Sequence, residues 1–176
     1  MLAQEVKEEA IQTLSYAMTY AKMGSWKVDF EGRGISLSNE LNALLVIEDS
    51  QHEKISLQYF LDEFVVPEDQ VNANNRFGEI LQNRNNIGFE TSFSFRVITR
   101  QGWMRYLFLK GKVMDANACF GIAQDITAQK ESENALINSE QKFRLLAENS
   151  EDIISVHAAD GTIWYLSPSV TQVLGY

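Results

Sequence analysis

The chain has 176 residues, of which 45% are hydrophobic, so it is long enough for one domain with a packed core and a remainder beyond it. Its formal net charge of -9 argues against nucleic acid or an anionic membrane surface as a partner, because either would need a basic face. A single cysteine, an acidic start unlike a signal peptide and the lack of a long apolar run together predict a cytoplasmic protein without direct membrane contact.

The first predicted element is an amphipathic helix over residues 2–22. Apolar residues recur there at spacings of three and four, and polar residues, mainly acidic, fill the opposite side. The apolar stripe consists of Leu2, Val6, Ala10, Ile11, Leu14, Ala17, Met18 and Ala21. We expect this stripe to cover another surface, and we expect Gly24 to end the helix as a residue free to adopt a positive φ.

Turns and capping residues then predict two short strands and three helices. The strands span Ser25–Phe30 and Ile35–Leu37. The helices, each begun by a capping serine or by a proline, span residues 39–47, 57–64 and 67–82. Asp69 lies in the first turn of the third helix, where a carboxylate favours the positive end of the helix dipole. We interpret Asp69 as such a helix-start residue and nothing more.

Three stronger strands follow. From Phe89 to Val97 apolar and polar residues alternate strictly, which places the phenylalanines on one face and the serines on the other. Turns then lead into strands at Trp103–Met114 and Cys119–Gln124. Because both alternating sets of the strand from Trp103 contain apolar residues, the sheet needs cover on both faces. We expect the three middle helices on one face and the N-terminal helix on the other.

A polar helix with only a weak heptad seam follows over residues 128–149. Beyond it, Leu166–Leu174 echoes Leu37–Leu45: each has a strand end, a capping serine and apolar positions at helical spacing. This repeat predicts the beginning of a second domain over residues 151–176. With its strand edges unpaired, we expect that piece to be mobile or to be ordered by another protomer.

Six segments now occur together in a particular order and spacing. They are Met23–Phe30, Val66–Gln70, Arg105–Leu107, Asp125–Thr127, Leu136–Ser150 and Ser167–Tyr176. In that order they resemble tandem PAS sensor domains, in which the Asp-Ile-Thr segment couples the sensing fold to its output helix. The resemblance implies an α+β fold with a five-stranded antiparallel sheet and helices on one face. It divides the chain into an N-terminal helix (1–22), a PAS sensory domain (23–127), a signalling helix (128–150) and a truncated second PAS domain (151–176).

In this fold the core and the ligand pocket share a wall, so the resemblance implies a pocket lined by core residues. The candidate lining residues are Phe60, Phe77, Leu81, Phe93, Phe95, Val97, Phe108, Gly121 and Ala123. The alternative is that they are ordinary core. Asp125 and Thr127 are candidate signal-coupling residues, because polar side chains at a sheet-to-helix junction bind backbone groups on both sides; a simple helix cap is an equally good interpretation.

Two cofactor classes of the family, haem and flavin, are not expected here. Flavin-binding members need a cysteine in an Asn-Cys-Arg segment of the middle helices, whereas Cys119 lies on the last strand, where we interpret it as a small strand residue rather than a redox sensor. The resemblance also places Ala123 where those sensors carry a flavin-contacting glutamine. Haem-binding members need a histidine on the helix over residues 67–82, which has none. We interpret His52 as a solvated loop residue, and His157 belongs to the second copy.

The sequence contains no phosphate-binding glycine loop, no metal-ligand spacing and no Ser/His nucleophile motif. The resemblance therefore predicts a non-catalytic sensory module. The helix over residues 2–22 and the doubly apolar strand from Trp103 further predict a parallel homodimer, which the helix helps to form. The module would bind a small molecule or a partner and relay the change to an output domain of the parent protein, a histidine kinase or a diguanylate cyclase. One rival is a ligand-free dimerisation module, and another is a small enzyme with a buried acid-base residue. A cavity with convergent polar groups would favour sensing, and a filled core the ligand-free module.

Overall fold

The computed structural model describes residues 2–32, 34–47, 54–150 and 152–175. The chain divides into two compact units, Met1–Ala128 and Gln129–Tyr176. The elements of the first unit are α1 (Leu2–Tyr20), β1 (Met23–Asp29), β2 (Gly34–Leu37), α2 (Asn39–Leu45), β3 (Ile55–Ser56), α3 (Leu57–Phe64), α4 (Pro67–Gln82), β4 (Glu90–Ile98), β5 (Met104–Asp115) and β6 (Ala118–Asp125). The helix α5 (Thr127–Glu148) begins in the first unit, and β7 (Ser155–His157), β8 (Ile163–Leu166) and α6 (Ser169–Leu174) belong to the second.

The first unit contains an antiparallel sheet with the strand order β3-β2-β1-β6-β5-β4. The predicted α+β class and the five predicted strands are confirmed. The sheet has a sixth strand at its edge, β3, which is two residues long. It pairs with β2 through Gly34↔Ser56 and Ile35↔Ile55. The sequence pattern missed β3 because two residues are too few to show an alternation.

The register of the central strands places the apolar residues of β4 on the inner face. Phe93 pairs with Leu109, which pairs in turn with Ala123, and directly paired residues share a face of the sheet. All three are buried, whereas the serines of β4 are exposed. The register predicted from the alternation is therefore confirmed.

Three helices cover the inner face, as expected. The buried side chains of α2, α3 and α4 are Leu41, Leu45, Phe60, Leu61, Phe64, Ala73, Phe77 and Ile80. The capping serines fix where two of these helices begin, since Ser38 accepts from the Leu41 N–H and Ser56 from the Tyr59 N–H. Phe77 lies at the centre of the core, with ring centroids 5.3 Å from Phe93 and 6.2 Å from Trp26.

The N-terminal helix forms, but its apolar stripe does not cover the sheet within the single chain. Val6, Ile11 and Leu14 are 61%, 58% and 62% exposed. The helix contacts β1 and α2, and Ser15 donates a hydrogen bond of 2.5 Å to Glu40. The expectation of an intramolecular cover on the outer face is therefore wrong.

Gly24 has a different role from the one predicted. The positive φ after α1 belongs to Lys22, at 52°, whereas Gly24 lies within β1. A Cβ on Gly24 would lie 2.5 Å from the Cβ of Leu41. Glycine at this position therefore allows α2 to approach the sheet closely.

The second unit consists of most of α5, the hairpin β7–β8 and α6. Phe143 of α5 packs against Tyr165 of β8, with ring centroids 5.7 Å apart. The helix predicted from Ser167 begins two residues later, because the Ser167 hydroxyl instead accepts from the Ile154 N–H and pairs with Ser169. Exposed apolar side chains of this unit are Ile153, Val156, Ile163, Trp164, Leu166, Val173 and Leu174.

Candidate functional site

Thr127 stands where the sheet ends and α5 begins. Its hydroxyl accepts a hydrogen bond of 3.0 Å from the Tyr106 N–H of β5. The same hydroxyl donates to the Asp125 carboxylate at 2.5 Å, and the Thr127 N–H donates to that carboxylate at 2.9 Å. Thr127 is therefore more than a helix cap, because one hydroxyl joins the first residue of α5 to two different strands.

Asp125 is held at this junction in a nearly closed environment. Its side chain is 2% exposed and forms an ion pair of 2.5 Å with Arg105 of β5. Burial alone would raise the pKa of this carboxyl, but hydrogen bonds from Thr127 and then from Arg105 outweigh it, so that the pKa of Asp125 lies below its ordinary value. The carboxylate is thus ionised at neutral pH and fixes both partners.

Backbone hydrogen bonds bring a third segment to the same place. The Ile126 N–H donates to the Tyr106 carbonyl, and the Asp125 N–H donates to the carbonyl of Lys22, just after α1. Arg105 also stacks over Trp103, with its guanidinium carbon 5.9 Å from the ring centroid. We call Arg105, Tyr106, Asp125 and Thr127 the junction network. It joins β5, β6 and the end of α1 to the start of α5.

Most of the predicted pocket residues meet in the interior of the first unit. Phe60, Phe77, Phe93 and Phe95 form a cluster with ring centroids 5.3–6.5 Å apart. Val97 and Ala123 are buried beside them, and Leu81 packs against the same core. The residues pack on one another, so a pocket at this place stays a prediction that would require side chains to move.

Phe108 does not join this cluster. It pairs with Ser94 and Gln124, which places it on the outer face of the sheet, where it is half-buried. The reason is the alternation along β5, in which Leu107 and Leu109 take the inner positions. The assignment of Phe108 to an inner pocket was wrong.

Trp26 occupies the space over Gly121 that we expected to be available to a ligand. A Cβ on Gly121 would lie 2.3 Å from the indole, and one on Gly111 would lie 2.4 Å from it. The indole Nε1–H donates to the Ile122 carbonyl at 3.0 Å, so this buried polar group is satisfied. Trp26 was not among the predicted site residues, although the alternation of β1 and the paired glycines Gly111 and Gly121 were a usable signal.

A cleft of about 450 Å³ does lie elsewhere, at the edge of the sheet. Its apolar lining comes from β2, β3, the end of α2 and α3, and consists of Ile35, Leu37, Ile47, Ile55 and Phe64. Among the described residues, its polar lining consists of Asn42, Lys54, Ser56, Tyr59 and Arg100. None of these residues was singled out as a candidate, because they come from five separate segments and share no motif.

Asp69 is more than a helix-start residue. Its two carboxylate oxygens accept from the Arg96 guanidinium at 2.7 and 3.0 Å, and one also accepts from the Arg96 N–H at 2.8 Å. These hydrogen bonds lower the pKa of Asp69. The interpretation from sequence was incomplete: Asp69 fastens the start of α4 to β4.

The described cysteine and histidine, Cys119 and His157, do not belong to a catalytic or metal-binding arrangement of described residues. Cys119 is buried on β6, and burial raises the pKa of its thiol to about 11. His157 is exposed on β7, with its Nε2 2.8 Å from the Ser155 hydroxyl, and His52 lies outside the described residues. In the described part of the chain no acidic, histidine and cysteine side chains group as a metal site. No described helix is both long and apolar enough to span a membrane.

Solved structures share this architecture. A sensory box histidine kinase/response regulator from Burkholderia thailandensis matches with a TM-score of 0.57 at 22% identity, over 76% of this chain and 98% of that one. An RNA-binding light-oxygen-voltage receptor matches with a TM-score of 0.50 at 15% identity, over 71% of this chain and 34% of the receptor. The N-terminal domain of a diguanylate cyclase with PAS/PAC sensor from Marinobacter aquaeolei matches with a TM-score of 0.50 at 18% identity, over 61% of this chain and 98% of that one.

No family model and no curated protein matches the sequence. At these identities the likeness to solved structures shows the fold alone. The first unit has the fold of a PAS domain, and the resemblance seen in the sequence is confirmed at that level.

Proposed function

We propose that this chain is a sensory and regulatory module of a signal-transduction protein, and that its first unit passes a change in the sheet to α5. The observation that carries the proposal is the double hydrogen bonding of Thr127 to Tyr106 and Asp125. Because these bonds join the start of α5 to two strands, a shift of either strand alters the helix start. A ligand or partner would act by changing the populations of two arrangements of this network.

The proposal extends to a parent protein that carries the catalytic output. A histidine kinase is the first candidate and a diguanylate cyclase the alternative, since structures described by both names share the fold. The present chain would then be non-catalytic and located in the cytoplasm, and residues 151–176 would begin a second PAS domain.

A homodimer is part of the same proposal. The outer face of the sheet exposes apolar side chains, among them Met104, Phe120 and Ile122 at 51%, 43% and 38%. Val6, Ile11 and Leu14 of the apolar stripe of α1 are exposed as well. Two such faces within one unit support burial against a second copy.

A ligand-free interaction module is the second candidate. The observation that favours it is the filled interior, where Trp26 and Phe77 occupy the position of the expected pocket. The two candidates share the dimer and the junction network, and they differ only in whether a small molecule sets the populations.

The test is a fusion of residues 1–148, in continuous helical register, to a histidine kinase core whose own sensor has been removed. We expect Asp125→Asn and Thr127→Val to change autophosphorylation several-fold, whereas the control Ser139→Ala, at an exposed position of the same helix, leaves it unchanged. The same autophosphorylation activity in the wild-type fusion and in all three variants, at every helical register of the joint that is tried, would refute transmission through the junction network.

We also predict that the purified protein is colourless. Cys119 is buried on β6 rather than on one of the helices that would carry a photoreactive thiol, and α4 contains no histidine. An absorption spectrum of the protein as purified checks this. A Soret band near about 400 nm, or a flavin spectrum, would contradict it.

A further inference from the structure

The cleft at the edge of the sheet contains a guanidinium group that lacks a carboxylate partner among the described residues. The Arg100 Nη2 donates to the Tyr59 hydroxyl at 2.9 Å, and the guanidinium carbon lies 5.8 Å from the centroid of the Phe64 ring. Arg96 and Arg105, in contrast, each form a close ion pair. An arginine has five N–H donors, and among the described residues the side chain of Arg100 uses one of them, in the bond to Tyr59.

Arg100 is held in this position by its backbone. Its N–H donates to the Leu45 carbonyl at 3.3 Å. The turn that carries it is closed by bonds from the Thr99 N–H to the Trp103 carbonyl and from the Trp103 N–H to the Thr99 hydroxyl. These bonds fix the backbone of the turn, and the contacts of the guanidinium with Tyr59 and Phe64 place the side chain at the cleft.

The remaining wall of the cleft is chiefly apolar. Ile35 and Leu37 lie on β2 at the positions paired with Val28 and Trp26, so they face the inner side of the sheet. Lys54 is the second cation of the lining, and it is already paired with Asp29. Of the cleft's described residues, Arg100 is therefore the cation without a carboxylate partner, and it lies beside the Tyr59 phenol and an apolar wall in a volume of about 450 Å³, which is typical of small-molecule sites.

We infer that this cleft binds a small organic carboxylate with an apolar body. The carboxylate would accept hydrogen bonds from Arg100 and the Tyr59 hydroxyl, and the apolar body would lie against Ile35, Leu37 and Ile55. The inference deepens the proposed sensory function, because the ligand would act on β2 and α3 rather than within the filled interior.

The experiment uses the full chain and two matched probes, phenylacetate and its neutral isostere phenylacetamide. Backbone amide shifts are followed by NMR during each titration. We expect phenylacetate to shift the amides of Ile35, Leu37, Tyr59 and Arg100, and to bind at least about tenfold more tightly than phenylacetamide. Arg100→Gln should weaken phenylacetate binding by about tenfold or more, whereas Arg84→Gln, at an exposed arginine beyond α4, should not.

Four results would overturn the inference. They are an absence of binding up to millimolar concentrations, equal affinity for both probes, unchanged binding by a folded Arg100→Gln variant, and shifts confined to interior residues such as Phe93 and Ala123. The same spectra also test the proposed transmission from the sheet to α5, through the shifts of the α5 amides. Binding in the cleft without any shift of the α5 amides would support the binding site and count against transmission of a change from the sheet to α5. If nothing binds, the kinase fusion still tests that transmission.

Discussion

Gly121 and Trp26 constrain each other at the centre of the sheet. A Cβ on Gly121 would lie 2.3 Å from both the indole of Trp26 and the Lys110 carbonyl. We expect Gly121→Ala to lower the free energy of unfolding by about 1–3 kcal/mol, the usual cost of overpacking. Chemical denaturation monitored by circular dichroism measures this value.

The control for this prediction is Gly78→Ala, since a Cβ on Gly78 meets nothing within 4 Å and the residue lies in α4. That variant should be more stable by about 0.5–1 kcal/mol, because alanine favours a helix over glycine. The double variant Trp26→Phe/Gly121→Ala should be less destabilised than the sum of its parts, as the smaller ring leaves room. Strict additivity would show that the indole is not the obstacle.

Asp69 predicts a dependence of stability on pH. The hydrogen bonds from Arg96 hold the pKa of Asp69 below its ordinary 3.8. A carboxyl whose pKa is lower in the folded chain contributes stability above its unfolded pKa and loses that contribution as the pH falls through its folded pKa. We expect Asp69→Asn to cost about 1–3 kcal/mol at neutral pH, and the difference from wild type to shrink below about pH 4.

Unfolding curves of wild type and Asp69→Asn, recorded from about pH 2 to about pH 7 so that they span carboxyl titration, measure the difference in free energy of unfolding. A gap between wild type and Asp69→Asn that is constant over the whole range would mean that the ion pair adds no pH-dependent stability.

The junction of β5, β6 and α5 makes its own prediction at the level of elements. Thr127→Val keeps the shape of the side chain but leaves the Tyr106 N–H without its acceptor. We expect a loss of about 1–2 kcal/mol and faster amide exchange at Tyr106 and in the first turn of α5. Hydrogen-exchange mass spectrometry measures both regions. Ser139→Ala serves as control, and an identical exchange pattern in the two variants would count against the junction network.

Elements with a strong local pattern could be predicted from the sequence. The alternation of β4 defined its inner face, and the serines at positions 38 and 56 marked two helix starts that the structure confirms. Gly24 could not be interpreted locally, since its role depends on α2 approaching from another part of the chain. The same holds for Asp69, whose partner Arg96 is 27 residues away.

The candidate sites show the same division at the scale of the whole molecule. Asp125 and Thr127 could be found from a short motif, whereas Arg105 and Tyr106 complete the network only through strand register. The edge cleft could not be found, because it arises where separate segments meet. The apolar stripe of α1 could be predicted from its helical spacing. The surface against which it packs could not, because the spacing carries no information about the partner.

The two exposed apolar faces of the first unit support a prediction of self-association. We expect the purified chain to be a dimer in sedimentation equilibrium, and Ile122→Glu on the outer face or Leu14→Glu on α1 to shift it toward monomer. Val71→Glu is the matched control, since Val71 is a 72% exposed apolar residue of α4, on the other side of the sheet. A wild-type chain that stays monomeric at high concentration would contradict the proposed homodimer.

The central claim is that a change inside the sheet reaches α5 through the junction network. Trp26→Phe removes the hydrogen bond to the Ile122 carbonyl and alters packing over two glycines without touching the junction. The direct test compares amide exchange over residues 128–148 for wild type and Trp26→Phe, each with and without Thr127→Val. We predict that Trp26→Phe changes exchange in α5 only when Thr127 is present. The claim would be contradicted if Trp26→Phe changed amide exchange in the sheet but not in α5. It would also be contradicted if the change in α5 were equally large in the Thr127→Val background.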